Sequence, residues 1–96
     1  MTPARILIVD DEPSMLRTTA RILQSDHEVQ TAATPTEALA KAEAFSPQLA
    51  IVDIRLPNMD GFEVMKALKD LDERCQVILM TGSIYDIDEK LVRAIR

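Results

Sequence analysis

The sequence predicts an α/β fold, a parallel sheet with helices on both faces, and three observations support it. Three short runs rich in β-branched residues, Ile6-Leu7-Ile8-Val9, Leu49-Ala50-Ile51-Val52 and Val77-Ile78-Leu79-Met80, have the continuous apolar character of strands buried on both sides. Stretches with apolar residues at helical spacing separate them, so strands and helices alternate along the chain. Each run also ends on oxygen-bearing side chains: Asp10-Asp11, Asp53, and Thr81 followed by Gly82. In open sheets of this class ligands sit outside the carboxyl ends of the strands. All three runs therefore deliver carboxylates or a hydroxyl to that edge.

The first strand is expected over Ala4 to Asp10. A helix follows from about Pro13, with Met15, Leu16, Thr19, Ile22 and Leu23 on one stripe, and Ser25-Asp26 ends it. The second strand, Glu28 to Ala32, is short and polar enough for a sheet edge. The second helix has the clearest start. Thr34 stands at the cap, Pro35 at the first helical position and Glu37 where a capping box requires it. Ala38, Leu39, Ala42 and Phe45 form its inner stripe, and Ser46-Pro47 stops it before the third strand, Gln48 to Asp53. A third helix is expected from about Gly61 to Leu71, burying Phe62, Met65 and Leu68, then a fourth strand from Gln76 to Thr81. A last helix begins near Asp86 or Asp88, with Ile87, Leu91, Ala94 and Ile95 aligned. It reaches Arg96 without a Gly, Asn or Pro stop signal, and the apolar fourth strand would be an exposed edge. Both features lead us to expect a single domain, residues 1–96, incomplete at its C-terminus and with no second domain.

Composition narrows the function classes. A chain of 96 residues can bury one core, and 47% apolar with 28% charged residues is ordinary for a globular domain. Aromatics make up 3%, too few for base-stacking platforms, and a net charge of −5 argues against a nucleic-acid surface. The single Cys75 cannot form an internal disulfide and reads as an inert thiol. No run approaches the roughly 18 apolar residues of a membrane span. The N-terminus passes straight into a strand without a signal-peptide core, so a cytoplasmic, soluble domain is expected. His27, before the polar second strand, reads as a surface residue. Met15, Met65 and Met80 read as packing, and Met59 as packing or a partner contact.

If the first and third strands are neighbours, Asp10, Asp11 and Asp53 converge. Two unit charges about 4 Å apart repel by about 4 kcal/mol at an effective dielectric near 20, so such a cluster needs a proton or a cation. Clustered oxygens without His or Cys suit a hard ion such as Mg²⁺. A carboxylate beside that ion can also act as a nucleophile and form an aspartyl-phosphate. Phosphoryl transfer then asks mainly for positioning and charge neutralisation, to which the Thr81 hydroxyl would contribute, with Gly82 leaving room beside it. The plainer reading, strand-end turn and cap residues, suits Asp10-Asp11 taken alone better than it suits the whole set.

The stretch Ile8-Val9-Asp10-Asp11-Glu12-Pro13, then Asp53, then Leu56-Pro57-Asn58-Met59-Asp60-Gly61, then Thr81-Gly82, resembles the receiver domain of two-component response regulators. The match covers essentially the whole chain in order and spacing. It implies a flavodoxin-like (CheY-like) doubly wound parallel sheet of order 2-1-3-4-5, here without the fifth strand and last helix. By this resemblance Asp53 matches the phosphoacceptor, fed from a phosphohistidine on a sensor histidine kinase or phosphotransfer protein. Asp11 and Asp53 match direct Mg²⁺ ligands, Asp10 acts mainly through water, and the main-chain carbonyl of Arg55 completes the set. Thr81 matches the switch hydroxyl, Pro57 and Gly61 the turn after the acceptor, and Glu12 an acidic position suited to tuning metal access or dephosphorylation. Helix one, around Ser14 to Arg21, would meet the kinase.

The family's active-site Lys, at the end of a fifth strand, has no counterpart. Lys90 is too close to Thr81 in sequence, and Lys66 and Lys69 are expected to face solvent on helix three. The expectation is therefore a phosphoacceptor rather than an enzyme, with Mg²⁺ binding better retained than transfer. Self-association through the exposed fourth strand and last helix is expected as well. The alternative is a pseudo-receiver acting as an interaction or dimerisation module without phosphotransfer. A haloacid dehalogenase-type phosphatase would carry a second Asp where Arg55 stands, and a flavodoxin-like redox protein would carry a Gly/Ser/Thr-rich phosphate loop after strand one.

Overall fold

In the computed structural model, which describes residues 2–54, 56 and 60–80, four five-residue strands alternate with three eleven-residue helices. The order is β1 (Arg5–Val9), α1 (Pro13–Leu23), β2 (Glu28–Ala32), α2 (Pro35–Phe45), β3 (Leu49–Asp53), α3 (Gly61–Leu71) and β4 (Gln76–Met80). The expected Arg55, Pro57, Met59, Thr81, Gly82 and last helix lie outside the described residues.

All three strand pairs are parallel, and the sheet order is β2-β1-β3-β4. The most apolar strand before the centre, β1, pairs on both sides, Val9 lying level with Ala32 and with Val52. Polar β2 takes an edge, as its sequence requires. Alternate residues divide the sheet faces. Leu7, Val9, Ala50 and Val52 meet Ala38 and Ala42 of α2 and Val64 and Leu68 of α3 in one core, closed by Ala32 and Cys75. Ile6 and Ile8, the alternate pair, are equally buried, and α1 packs on β1 and β2.

Helix starts follow from local chemistry. Glu12 caps α1, with Pro13 at the first position, where its missing N–H costs nothing. The Thr34 hydroxyl accepts from the Glu37 amide at 3.1 Å. The Glu37 carboxylate reaches back to the Ala33 amide at 3.3 Å, one residue before the cap. The capping box thus holds with its return bond displaced by one position. Ser46 ends α2 in the left-handed region at φ 52, and its amide donates to Ala42 O at 2.9 Å.

Two inner stripes differ from expectation. Met15 and Ile22 are 43% and 68% exposed, because α1 turns Leu16, Thr19, Ala20 and Leu23 toward the sheet. In α3 the fully buried residues are Gly61, Val64 and Leu68, while Phe62 and Met65 are half-buried. Lys69 is half-buried rather than solvent-facing, its Nζ donating to Glu73 O at 3.3 Å at the far end of α3. His27 also has a structural partner, its Nδ1 accepting from the Ala4 amide at 3.0 Å.

Candidate functional site

Because β1 and β3 pair in register, their carboxyl ends finish side by side, and this sets the site. Val9 faces Val52, so Asp10 comes level with Asp53, the last residue of β3, and Asp11 follows in the turn into α1. One ligand atom from each of Asp10, Asp11 and Asp53 lies within 4.8 Å of the other two. At that separation each pair of charges repels by about 3–4 kcal/mol at an effective dielectric near 20. Asp10 is 4% exposed, Asp53 half-buried and Asp11 exposed, so the cluster opens to solvent on the Asp11 side.

Backbone bonds hold this arrangement. The Asp10 amide donates to Ala32 O at 3.0 Å, extending the β1–β2 ladder by one rung. Asp10 Oδ1 accepts from the Glu12 amide at 2.9 Å, which fixes the turn that presents Asp11. Glu12 itself is held at the helix start. Its Oε1 accepts from the Ser14 hydroxyl at 2.8 Å and the Ser14 amide at 3.2 Å, and these bonds keep its carboxyl below the usual carboxylate range. In this geometry Glu12 serves α1 and is not one of the three clustered acids.

The loop after Asp53 is closed from both ends. The Ile54 amide donates to Met80 O at 2.9 Å, and the Gly61 amide donates to Ile54 O at 2.8 Å. Gly61 is pressed so tightly on the strand end that a Cβ there would lie 2.4 Å from Asp53 O and 2.7 Å from Ile54 Cα. The glycine is therefore required by close backbone approach. The sequence reading passed over Asp60, whose Oδ1 accepts from the Glu63 amide at 2.9 Å and starts α3 immediately beside this contact. The Asp60-Gly61-Phe62-Glu63 spacing was a capping signal that could have shown it. Leu56 packs against the core.

The donor set fits the expected ion. Three carboxylates, with no His or Cys in the cluster among the described residues, match a hard divalent cation that accepts oxygen ligands and keeps waters. Desolvated Asp10 gives the cluster a fixed wall, and exposed Asp11 leaves it an entrance.

The family model of the response regulator receiver domain matches residues 6–95. Among curated proteins, the alkaline phosphatase synthesis transcriptional regulatory protein PhoP of Bacillus subtilis is 36% identical over 88 residues, covering 91% of this chain and 37% of its own length. The regulatory protein AtoC of Escherichia coli is 39% identical over 94 residues, covering 96% and 20%. The chain thus spans well under half the length of these relatives. Among solved structures, a CheY-like receiver domain from Methanospirillum hungatei superposes with a TM-score of 0.85 at 36% identity, covering 98% of this chain and 75% of that one. The chemotaxis response regulator CheY4 of Vibrio cholerae gives 0.84 at 32% identity, covering 98% and 81%. Because the receiver model matches residues 6–95 and these relatives align over most of the chain, the chain belongs to the response regulator receiver domains, the phosphoacceptor modules of two-component signalling.

Proposed function

We propose that Asp53 is the phosphorylated residue, that Asp10, Asp11 and Asp53 hold Mg²⁺, and that a sensor histidine kinase or phosphotransfer protein supplies the phosphoryl group. The observation that carries this reading is the convergence of the three carboxylates at the carboxyl edge of the sheet. In the transfer a carboxylate oxygen of Asp53 attacks phosphorus, the P–N bond of the phosphohistidine breaks, and the imidazole leaves with the electron pair and takes up a proton. Mg²⁺, when bound, supplies positive charge against the carboxylates and the phosphoryl oxygens. The chain's own contribution is positional. Gly61 and the Ile54 bonds hold the Asp53 backbone, and the Asp10 bond to Glu12 holds the turn opposite it.

By family resemblance, the Arg55 main-chain carbonyl completes the metal ligands, Pro57 and Gly61 form the turn after Asp53, and the Thr81 hydroxyl carries the switch, with small Gly82 leaving room beside it. Exposed Met15 and Ile22 on α1 are suited to contact the donor protein. The domain is placed in the cytoplasm, where such kinases present their phosphohistidine. No helix among the described residues is long and apolar enough to cross a membrane. The pseudo-receiver alternative is not favoured, since it leaves the metal-suited cluster without a role.

Intact-mass measurement after incubation with Mg²⁺ and acetyl phosphate tests the reading. One phosphoryl adduct, absent from Asp53→Asn and from a magnesium-free control, is the expected result. An adduct that survives Asp53→Asn would overturn the assignment of the acceptor.

A further inference from the structure

We infer that the amino-terminal edge of the sheet binds a small amphiphilic carboxylate, its head on Arg5 and Arg74 and its alkyl chain against the ends of α2 and α3. Two open cavities meet there. The first, a polar bowl of about 410 Å³, is lined by Arg5, Gln48, Arg74 and Gln76, at or just before the starts of β1, β3 and β4. The second, a slot of about 260 Å³, is lined by Ala42, Leu68, Leu71 and Cys75. Ser46, Pro47, Asp72 and Arg74 border both, so bowl and slot form one continuous depression. The bowl alone falls in the range of small-ligand clefts, about 300–1,000 Å³.

The bowl presents donors suited to a carboxylate. Arg5 Nε donates to Ser46 O at 2.9 Å, and Arg74 Nε to Asp72 Oδ1 at 3.2 Å. Each bond fixes a guanidinium by its inner nitrogen and leaves both terminal amino groups without a partner among the described residues. A carboxylate meets such a fork end-on, through two parallel N–H groups. Gln48 adds a further donor, because its Oε1 already accepts from the Arg5 amide at 3.0 Å and its amide nitrogen is left over. Asp72 is the one acid among the described lining residues of the bowl, and it is already satisfied. It accepts from the Arg74 amide at 3.0 Å as well as from Nε, and these bonds hold its carboxyl below the usual carboxylate range. Two cations thus face one paired acid, in a chain whose net charge is −5.

The slot selects the rest of the ligand. Leu71, on the last turn of α3, is 51% exposed beside buried Leu68 and Cys75, an apolar surface that an alkyl chain would cover. Exposed Glu43 lines the slot and not the bowl. Charge therefore runs from positive in the bowl to negative at the rim of the slot, which turns a carboxylate head toward Arg5 and Arg74 and its chain toward Leu71. Inorganic phosphate would leave the slot empty, and a neutral hydrocarbon would leave both forks unused. The acidic cluster lies at the opposite, carboxyl edge of the sheet, and the two sites share no residue.

The test titrates the isotope-labelled protein with octanoate, below its micelle-forming concentration, and follows amide shifts. Saturable shifts are expected at Arg5, Ser46, Gln48, Leu71, Arg74 and Gln76, with the turn from Asp10 to Glu12 unmoved. Affinity should rise about threefold per methylene from butanoate to octanoate. Arg5→Gln/Arg74→Gln should weaken octanoate about tenfold, and Leu71→Ser should flatten the dependence on chain length. Circular dichroism checks that the variants fold, and the ligand series on the unaltered protein decides the matter even if one does not. No saturable binding, equal binding of octylammonium, or shifts centred elsewhere would overturn the proposal. So would acetate or inorganic phosphate binding as tightly as octanoate, or undiminished binding by the folded variants.

Discussion

Gly61 carries the sharpest prediction at the scale of a single residue. A Cβ at this position would press into Asp53 O and Ile54 Cα, both backbone atoms that cannot rotate away. Gly61→Ala should therefore cost about 1–3 kcal/mol, the usual range for overpacking, and should slow phosphorylation, because the displaced strand end carries the acceptor. Urea denaturation with the mass assay checks both effects, and an unchanged midpoint would contradict the close approach. Cys75 behaves in the opposite sense, protected rather than exposed. It is 3% exposed, and burial pushes its thiol above the ordinary value. It should resist alkylation at neutral pH and react once the protein is unfolded. Asp11→Asn removes one of three mutually repelling charges at its exposed end. The metal-free protein should gain on the order of 1 kcal/mol and lose its magnesium-dependent stabilisation, both visible in thermal melts.

At the scale of elements, α2 shows how local chemistry sets an end that packing then uses. Thr34 starts the helix where Ala38 and Ala42 can join the core over β1 and β2 with Val9 and Ala32. Removing the cap in Thr34→Ala should cost about 1 kcal/mol without altering the site, measurable as a lower urea midpoint with an unchanged phosphoryl adduct. The two helices over the main core differ from α1. Each buries three residues fully, whereas α1 buries none and leaves Met15 and Ile22 in water. The stripe Met15, Leu16, Thr19, Ile22 and Leu23 is amphipathic on paper. Only the direction from which β1 and β2 approach decides which of those residues are covered.

At the scale of the whole molecule, the parallel sheet brings distant carboxylates together and leaves surface for partners. Asp10 and Asp53 are forty-three positions apart and meet because β1 and β3 pair in register. A cation bound at that edge should stabilise the fold by mass action. At a hundred times its dissociation constant, Mg²⁺ would add about 2.7 kcal/mol, and chelation would remove it. Among the described residues β4 pairs only with β3, and Ile78 on it is 50% exposed. Sedimentation should show concentration-dependent self-association that Ile78→Lys abolishes. A strictly monomeric, cooperatively folding chain across the same range would sink that expectation.

The element order, the edge position of polar β2, the Thr34 cap and the convergence of Asp10, Asp11 and Asp53 were all legible in the residues. Periodicity, capping chemistry and strand-end placement are local properties, and parallel pairing permits few topologies. Three things were not legible. Val64, rather than Phe62 or Met65, fills the centre of α3's inner face. Glu12 is occupied with Ser14, and Gly61 is held in backbone contact with Asp53. Each depends on the distance between elements and the rotation of one against another. Those quantities come from packing side chains of unequal size across the sheet, so only the tertiary structure decides them.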